Sequence, residues 1–163
     1  VFVISDTHFG HANMLKFTND DGSLVRDFST VMEMDVTMIE RWNSIVTPRD
    51  KVYHLGDVAF TRDGLHLMHM LNGKKRLVRG NHDLMKTSKY FEYFDEIYGV
   101  RQINGLWLTH VPMHPDGVDR PKVKANIHGH LHNNVIDHEK YVNVSVERIN
   151  YTPVSLDTIL EGL

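Results

Sequence analysis

The chain has 163 residues, 41% of them hydrophobic, with 5 prolines and a formal charge of −3. That is enough for one domain with a packed core, and it argues against a disordered chain or a general nucleic-acid or membrane-surface binder, while leaving room for a local basic groove. Cysteine is absent, which rules out disulfides and thiolate metal sites, and the 12 histidines leave His, Asp, Glu and Asn as the available metal ligands.

The opening apolar run, residues 1–4, is too short for a signal peptide and lacks a basic flank. It leads into Ser5-Asp6-Thr7-His8. Val1 in place of an initiator Met points to removal or trimming. Val31, Met34, Met38 and Trp42 then repeat at helical spacing, with Thr30 and Glu33 at capping-box positions before them. Core packing explains this Met-rich face better than a cofactor role.

A second strand-like run, 51–55, ends in Gly56-Asp57, and Leu65, Met68 and Leu71 mark another helix that Gly73 would stop. Lys74, Lys75 and Arg76 form the one tight basic run, read as a solvated turn before a strand. That strand, 76–78, ends in Arg79-Gly80-Asn81-His82-Asp83. Residues 90–97 are a weaker helix candidate, and 100–103 reads as a strand.

Run 105–108 delivers Thr109-His110, and run 125–127 delivers His128-Gly129-His130-Leu131-His132. Between them, 111–124 holds Pro112, Pro115, Gly117 and Pro121 and is irregular; it either borders the site or is a plain surface connection. Residues 142–146 read as a strand, and 152–160 as a short strand followed by a terminal helix. No run approaches the roughly 20 apolar residues of a spanning helix. The expectation is a single domain over 1–163, cytoplasmic, with no membrane partner; the oligomeric state is open.

Each strand-like run thus ends in polar, ligand-type residues, and ligands of α/β sheets bind at strand carboxyl ends. Singly, Asp-x-His, Gly-Asp or a lone His means little. Five pieces in order carry more: Asp6-x-His8, Gly56-Asp57, Gly80-Asn81-His82-Asp83, His110 and Gly129-His130-x-His132. In this order they resemble the motifs of the calcineurin-like metallophosphoesterase superfamily. The wording around residues 5–11 and 77–83 is similar to small, cap-less bacterial or phage members.

The resemblance implies an α/β fold, a four-layer α/β/β/α sandwich of two packed mixed β-sheets flanked by helices. It also implies two divalent transition-metal ions, with Mn the leading expectation and Fe, Zn or Ni as alternatives. Asp6, His8, Asp57 and His132 would hold the first ion. Asp57, Asn81, His110 and His130 would hold the second, with Asp57 bridging. Two ions about 3.5–4 Å apart would clamp a phosphoryl group and generate hydroxide for in-line attack. His82 resembles the family histidine that contacts phosphate and would assist the leaving group, with Asp83 orienting it.

Strand alternation lets His130 and His132 point to one side, and Gly56, Gly80 and Gly129 allow tight turns beside the ligands. His11, Arg79 and His114 are candidate substrate contacts, with Asn13 and Arg120 weaker. His54 and His128 are expected to pack inside; His66, His69 and His138 are expected at the surface. The expected substrate is a small phosphate ester, nucleotide-derived molecules included. A diester is preferred to a monoester by analogy with small cap-less relatives. A nuclease is the less favoured alternative, because this mildly acidic chain lacks an extended basic surface. A non-catalytic scaffold is the third alternative.

Overall fold

The computed structural model describes residues 1–163. Five strands form the first sheet: β1 (Phe2–Ile4), β2 (Lys51–His54), β3 (Lys74–Val78), β4 (Glu96–Tyr98) and β9 (Val154–Ser155), in the order β4-β3-β2-β1-β9. The first four are mutually parallel, and β9 pairs antiparallel with β1. The second sheet contains β5 (Arg101–Ile103), β6 (Leu106–Leu108), β7 (Ala125–His128) and β8 (Tyr141–Asn143), with only β5–β6 antiparallel. Both sheets are mixed, and helices flank them, as the resemblance implied.

Side-chain alternation explains the layers. In β1, Val3 faces one way and Ile4 the other. Ile4, Val52 and Leu77 join a core with α1 (Val31–Ile45) through Met34, Met38 and Trp42. Val3, Tyr53 and Val78 turn to the opposite face and meet Leu106, Leu108, Ala125 and Ile127, so a second core lies between the sheets. Leu156 and Ile159 of α5 (Leu156–Glu161) close that second core.

Thr30 Oγ1 accepts the Glu33 N–H and so caps α1, while the Glu33 carboxylate reaches back to the Ser29 N–H. The Leu65-Met68-Leu71 pattern is α2 (Arg62–His66) tightening into a 3-10 turn, Leu67–Met70. Gly73, at φ 95°, follows as the stop.

Two local expectations are corrected. Residues 90–97 are not a helix: α3 spans Thr87–Tyr90 and the chain becomes strand β4 by Glu96. Tyr90 and Phe94 do bury at i, i+4, but the open edge of β3 offers backbone partners to Ile97 and Tyr98, and sheet pairing prevails. The strand expected over 142–146 ends at Asn143; Ser145 makes only an isolated bridge to Ser5. The 111–124 segment contains one helical turn, α4 (Pro115–Val118). It roofs the outer face of the second sheet: Asn126 Oδ1 accepts the Met113 N–H, Tyr141 donates to Met113 O, and Lys140 Nζ donates to Val118 O. No helix is long and apolar enough to cross a membrane.

Candidate metal centre

The strand ends converge. Asp6 and His8 follow β1, Asp57 follows β2, Asn81 follows β3, His110 follows β6, and His130 and His132 follow β7. Two groups result: Asp6, His8 and His132, and Asp57, His110 and His130, with the potential ligand atoms of each group within 4.8 Å of one another. Asp57 Oδ2 lies 3.7 Å from His8 Nε2 and 3.3 Å from His110 Nε2, so it reaches both groups. Asn81 Oδ1 lies 2.8 Å from His110 Nε2.

The backbone is unusual at these positions. Asp6, His8, Asp57, His130 and His132 all have positive φ, between 48° and 69°. Non-glycine residues rarely adopt this region, and each costs on the order of 1–3 kcal/mol unless the surroundings enforce it. The strain turns consecutive side chains out of strand alternation and toward one point.

The potential ligand atoms are oriented by their other contacts. Asp6 Oδ2 accepts the Ser145 hydroxyl and the His130 N–H, leaving Oδ1 buried without a partner. Both ring nitrogens of His8 are likewise buried and unpartnered. His110 Nδ1 donates to Leu55 O, which turns Nε2 inward. Buried polar atoms without partners are costly, and a carboxylate–imidazole set of this kind fits a divalent cation.

Electrostatics agree. Burial, reinforced by Arg26, lowers His8 to about 2 and keeps its imidazole neutral, the state that can coordinate. Burial would raise Asp57, but hydrogen bonding and attraction from His110 and the His82 N–H hold it at about 2, ionised.

Sequence reading missed two residues. Arg26 is 0% exposed. Its Nε donates to Glu147 Oε1 at 2.7 Å, Nη1 to Thr7 O at 2.8 Å, and Nη2 to Asp6 O. The same Glu147 oxygen takes His132 Nδ1 at 3.0 Å. One buried cation therefore braces the backbone of Asp6-Thr7-His8 and, through Glu147, the ring of His132. An imidazole held this way presents its other nitrogen to a metal in a fixed direction. The pair lies 121 residues apart in irregular chain and carried no motif signal.

Asp83 is corrected in role. It does not orient the His82 ring. Its carboxylate accepts the N–H groups of Asp57, Val58 and Gly80, while Asp57 Oδ1 takes the His82 N–H, so two ligand loops are laced together. Arg79 is also corrected. Its guanidinium is committed to Asp83 O, Met85 O and Thr87 Oγ1, pinning the 80–87 loop rather than facing a substrate. His114 caps α4 and is exposed, and no residue of 111–124 lines the cavities beside the ligands.

His82 and His11 do share a cavity of about 340 Å³ with His8 and His132. Gly129 is required by close approach: a Cβ there would collide with Ser5 Oγ and Asp6 Oδ2. His54 and His128 are buried, and His66 and His69 are exposed. His138 is half-buried and pairs with Asp119.

No protein-family model matches the chain. An uncharacterized protein of Methanocaldococcus jannaschii is 38% identical over 99% of this chain and 89% of its own length. The Gene 66 protein of Mycobacterium phage L5 is 26% identical over 88% and 84%. Among solved structures, a protein of unknown function from Aquifex aeolicus matches at TM-score 0.76 and 28% identity, over 99% of this chain and 98% of that one. A novel archaeal phosphodiesterase shares the fold at TM-score 0.55 and 18% identity, over 88% and 81%.

The fold expected from the motif resemblance is thus the one this chain has. It has the expected pair of mixed sheets and two Asp/His clusters able to hold two metal ions. The candidate ligand motifs stand on the strand-to-loop transitions described above.

Proposed function

We propose that the protein is a two-metal phosphoesterase that hydrolyses phosphodiesters. One observation carries this: two carboxylate–imidazole clusters meet at Asp57, with buried ligand atoms of Asp6 and His8 left without protein partners. Asp6, His8, Asp57 and His132 would hold one ion; Asp57, Asn81, His110 and His130 would hold the other. Such a pair lowers the pKa of water and neutralises phosphoryl oxygens as charge develops. Asp57, kept ionised, would be shared by the two ions; Arg26 and Glu147 hold the first ligand set in register; His82, exposed beside His8, gives a proton to the departing oxygen.

Mn is the proposed metal, with Fe, Zn and Ni as competitors; the nitrogen and oxygen ligand set admits all four. The cytoplasm is the proposed compartment. Against a nuclease stands the wall of the site: neither cavity beside the ligands contains a lysine or arginine to track a polyanionic strand.

The test uses metal-stripped protein reloaded with Mn, Fe, Zn, Ni or Mg and assayed on diesters, monoesters, cyclic nucleotides and DNA. Hydrolysis of bis(4-nitrophenyl) phosphate with Mn is expected. Clear monoesterase activity without diesterase activity would reverse the preference. Bound metal with no ester turned over would favour a scaffold. His82→Ala should keep its metal and lose about 100-fold or more in kcat on esters with poor leaving groups; near-normal turnover on those esters would refute the acid role.

A further inference from the structure

The ligand cluster lies at the junction of two cavities. One, of about 340 Å³, holds His82, His11 and Phe60; the other, of about 370 Å³, lies between the 14–25 and 130–134 segments. Both are lined by Met14, Phe17 and His132, so they meet at the first ligand set. Each has the size of a small-molecule site. A phosphomonoester has one organic arm and would leave one cavity without an occupant; a phosphodiester has two.

The cavities differ in chemistry. The first is aromatic: the His11 and Phe60 rings lie 4.2 Å apart and the Phe60 and His82 rings 5.0 Å apart. The second sets the open ring of Phe17, 49% exposed, beside a polar wall. In that wall Asn133 Nδ2 donates to Asn19 Oδ1, while Asn133 Oδ1, the side-chain amide of Asn134 and the Thr18 hydroxyl make no hydrogen bond within the protein. A flat apolar face beside unspent amide donors and acceptors is complementary to a heterocycle with polar edges. Asp20 in the same wall would repel a second phosphate.

We propose that the second cavity binds the nucleoside of a small nucleoside phosphodiester, and that the other arm leaves through the His82 cavity. This rests on the hydrolytic reading above and names its substrate class. In the reaction a water oxygen bonds to phosphorus as the bond from phosphorus to the His82-side oxygen breaks. One water proton ends on the departing alcohol, the other is released, and the nucleoside keeps the phosphate as a monoester.

The test compares binding of thymidine 5′-monophosphate and 2-deoxyribose 5-phosphate to the Mn-loaded protein by calorimetry. It is paired with turnover of thymidine 5′-(4-nitrophenyl) phosphate and bis(4-nitrophenyl) phosphate. A base stacked on the Phe17 ring should make the nucleotide bind at least about fivefold tighter than the sugar phosphate. Phe17→Ala should abolish that preference, and so should Phe17→Leu, which keeps apolar bulk without a flat ring. Asn134→Leu should lower the nucleoside-ester to bis-nitrophenyl kcat/KM ratio several-fold. Equal binding of the two phosphates, or a preference that survives both Phe17 variants, overturns the proposal. Faster cleavage of a thymidine octanucleotide than of the nucleoside ester also overturns it, in favour of a strand. Wild-type turnover of bis(4-nitrophenyl) phosphate with equal binding would sink the nucleoside subsite alone. Nucleotide preference with no ester turned over would uphold the subsite and sink the hydrolytic reading.

Discussion

Replacing Glu147 by Gln removes one charge and almost no volume from the brace behind the first ligand set. In the folded protein the Arg26 guanidinium is wholly buried, and the Glu147 side chain is 2% exposed, so neither has water to replace its partner. After the substitution Arg26 keeps its bonds to Thr7 O and Asp6 O but loses its counter-charge. Leaving one member of a buried ion pair uncompensated costs about 3–5 kcal/mol, a large part of the roughly 5–15 kcal/mol that holds a domain folded. Urea unfolding of the metal-free protein, followed by circular dichroism, should show that loss.

The double substitution Arg26→Met with Glu147→Leu separates charge from positioning. With both charges gone, much of the lost stability should return. His132 Nδ1 would still lack its acceptor, so one of the two metals should bind about 10–100-fold more weakly. Metal content after dialysis would fall from two ions toward one. A loss below about 1 kcal/mol in Glu147→Gln, or full two-metal occupancy in the double variant, would refute the brace.

Three further outcomes are expected. The Thr7 hydroxyl donates to Val58 O and so accepts from His54 Nε2, while His54 Nδ1 accepts the Gly56 N–H; the ring is therefore satisfied only when neutral. Burial accordingly lowers His54 to about 3. Its folded pKa lies below its unfolded value of about 6.5, so its contribution is intact above pH 6.5 and is lost as pH falls toward 3, by at most about 1.4 kcal/mol per pH unit. His54→Gln should flatten that acid limb in denaturation curves of metal-free protein; an unchanged slope would count against it. Asp83→Ala should cost about 2–5 kcal/mol by stranding three N–H groups, two of them buried, and its activity loss should be the same for good and poor leaving groups, as measured across a nitrophenyl-to-alkyl ester series. Gly129→Ala should abolish two-metal binding in calorimetry, because its Cβ would displace Ser5 and the Asp6 carboxylate; normal stoichiometry would contradict the packing.

What the sequence determined by itself was local. Strands reveal themselves by short apolar runs, α1 by its 3.6-residue period and its Thr30–Glu33 cap, and the candidate ligands by motifs that each occupy a few consecutive residues. The tertiary structure decided the rest. Residues 90–97 satisfied a helical period, yet β4 formed because the open edge of β3 supplied partners from distant chain. Asp83 sat beside His82 in sequence, but its carboxylate folded back onto the Asp57 loop, where three N–H groups converge. Arg26 and Glu147 had no pattern, because their meaning lies in a buried contact 121 residues long. The positive φ angles of five ligand residues likewise have no signature in their identities. Periodicity and adjacency encode interactions between neighbours in the chain, whereas burial, strain and charge pairing are set by which segments the completed fold brings together.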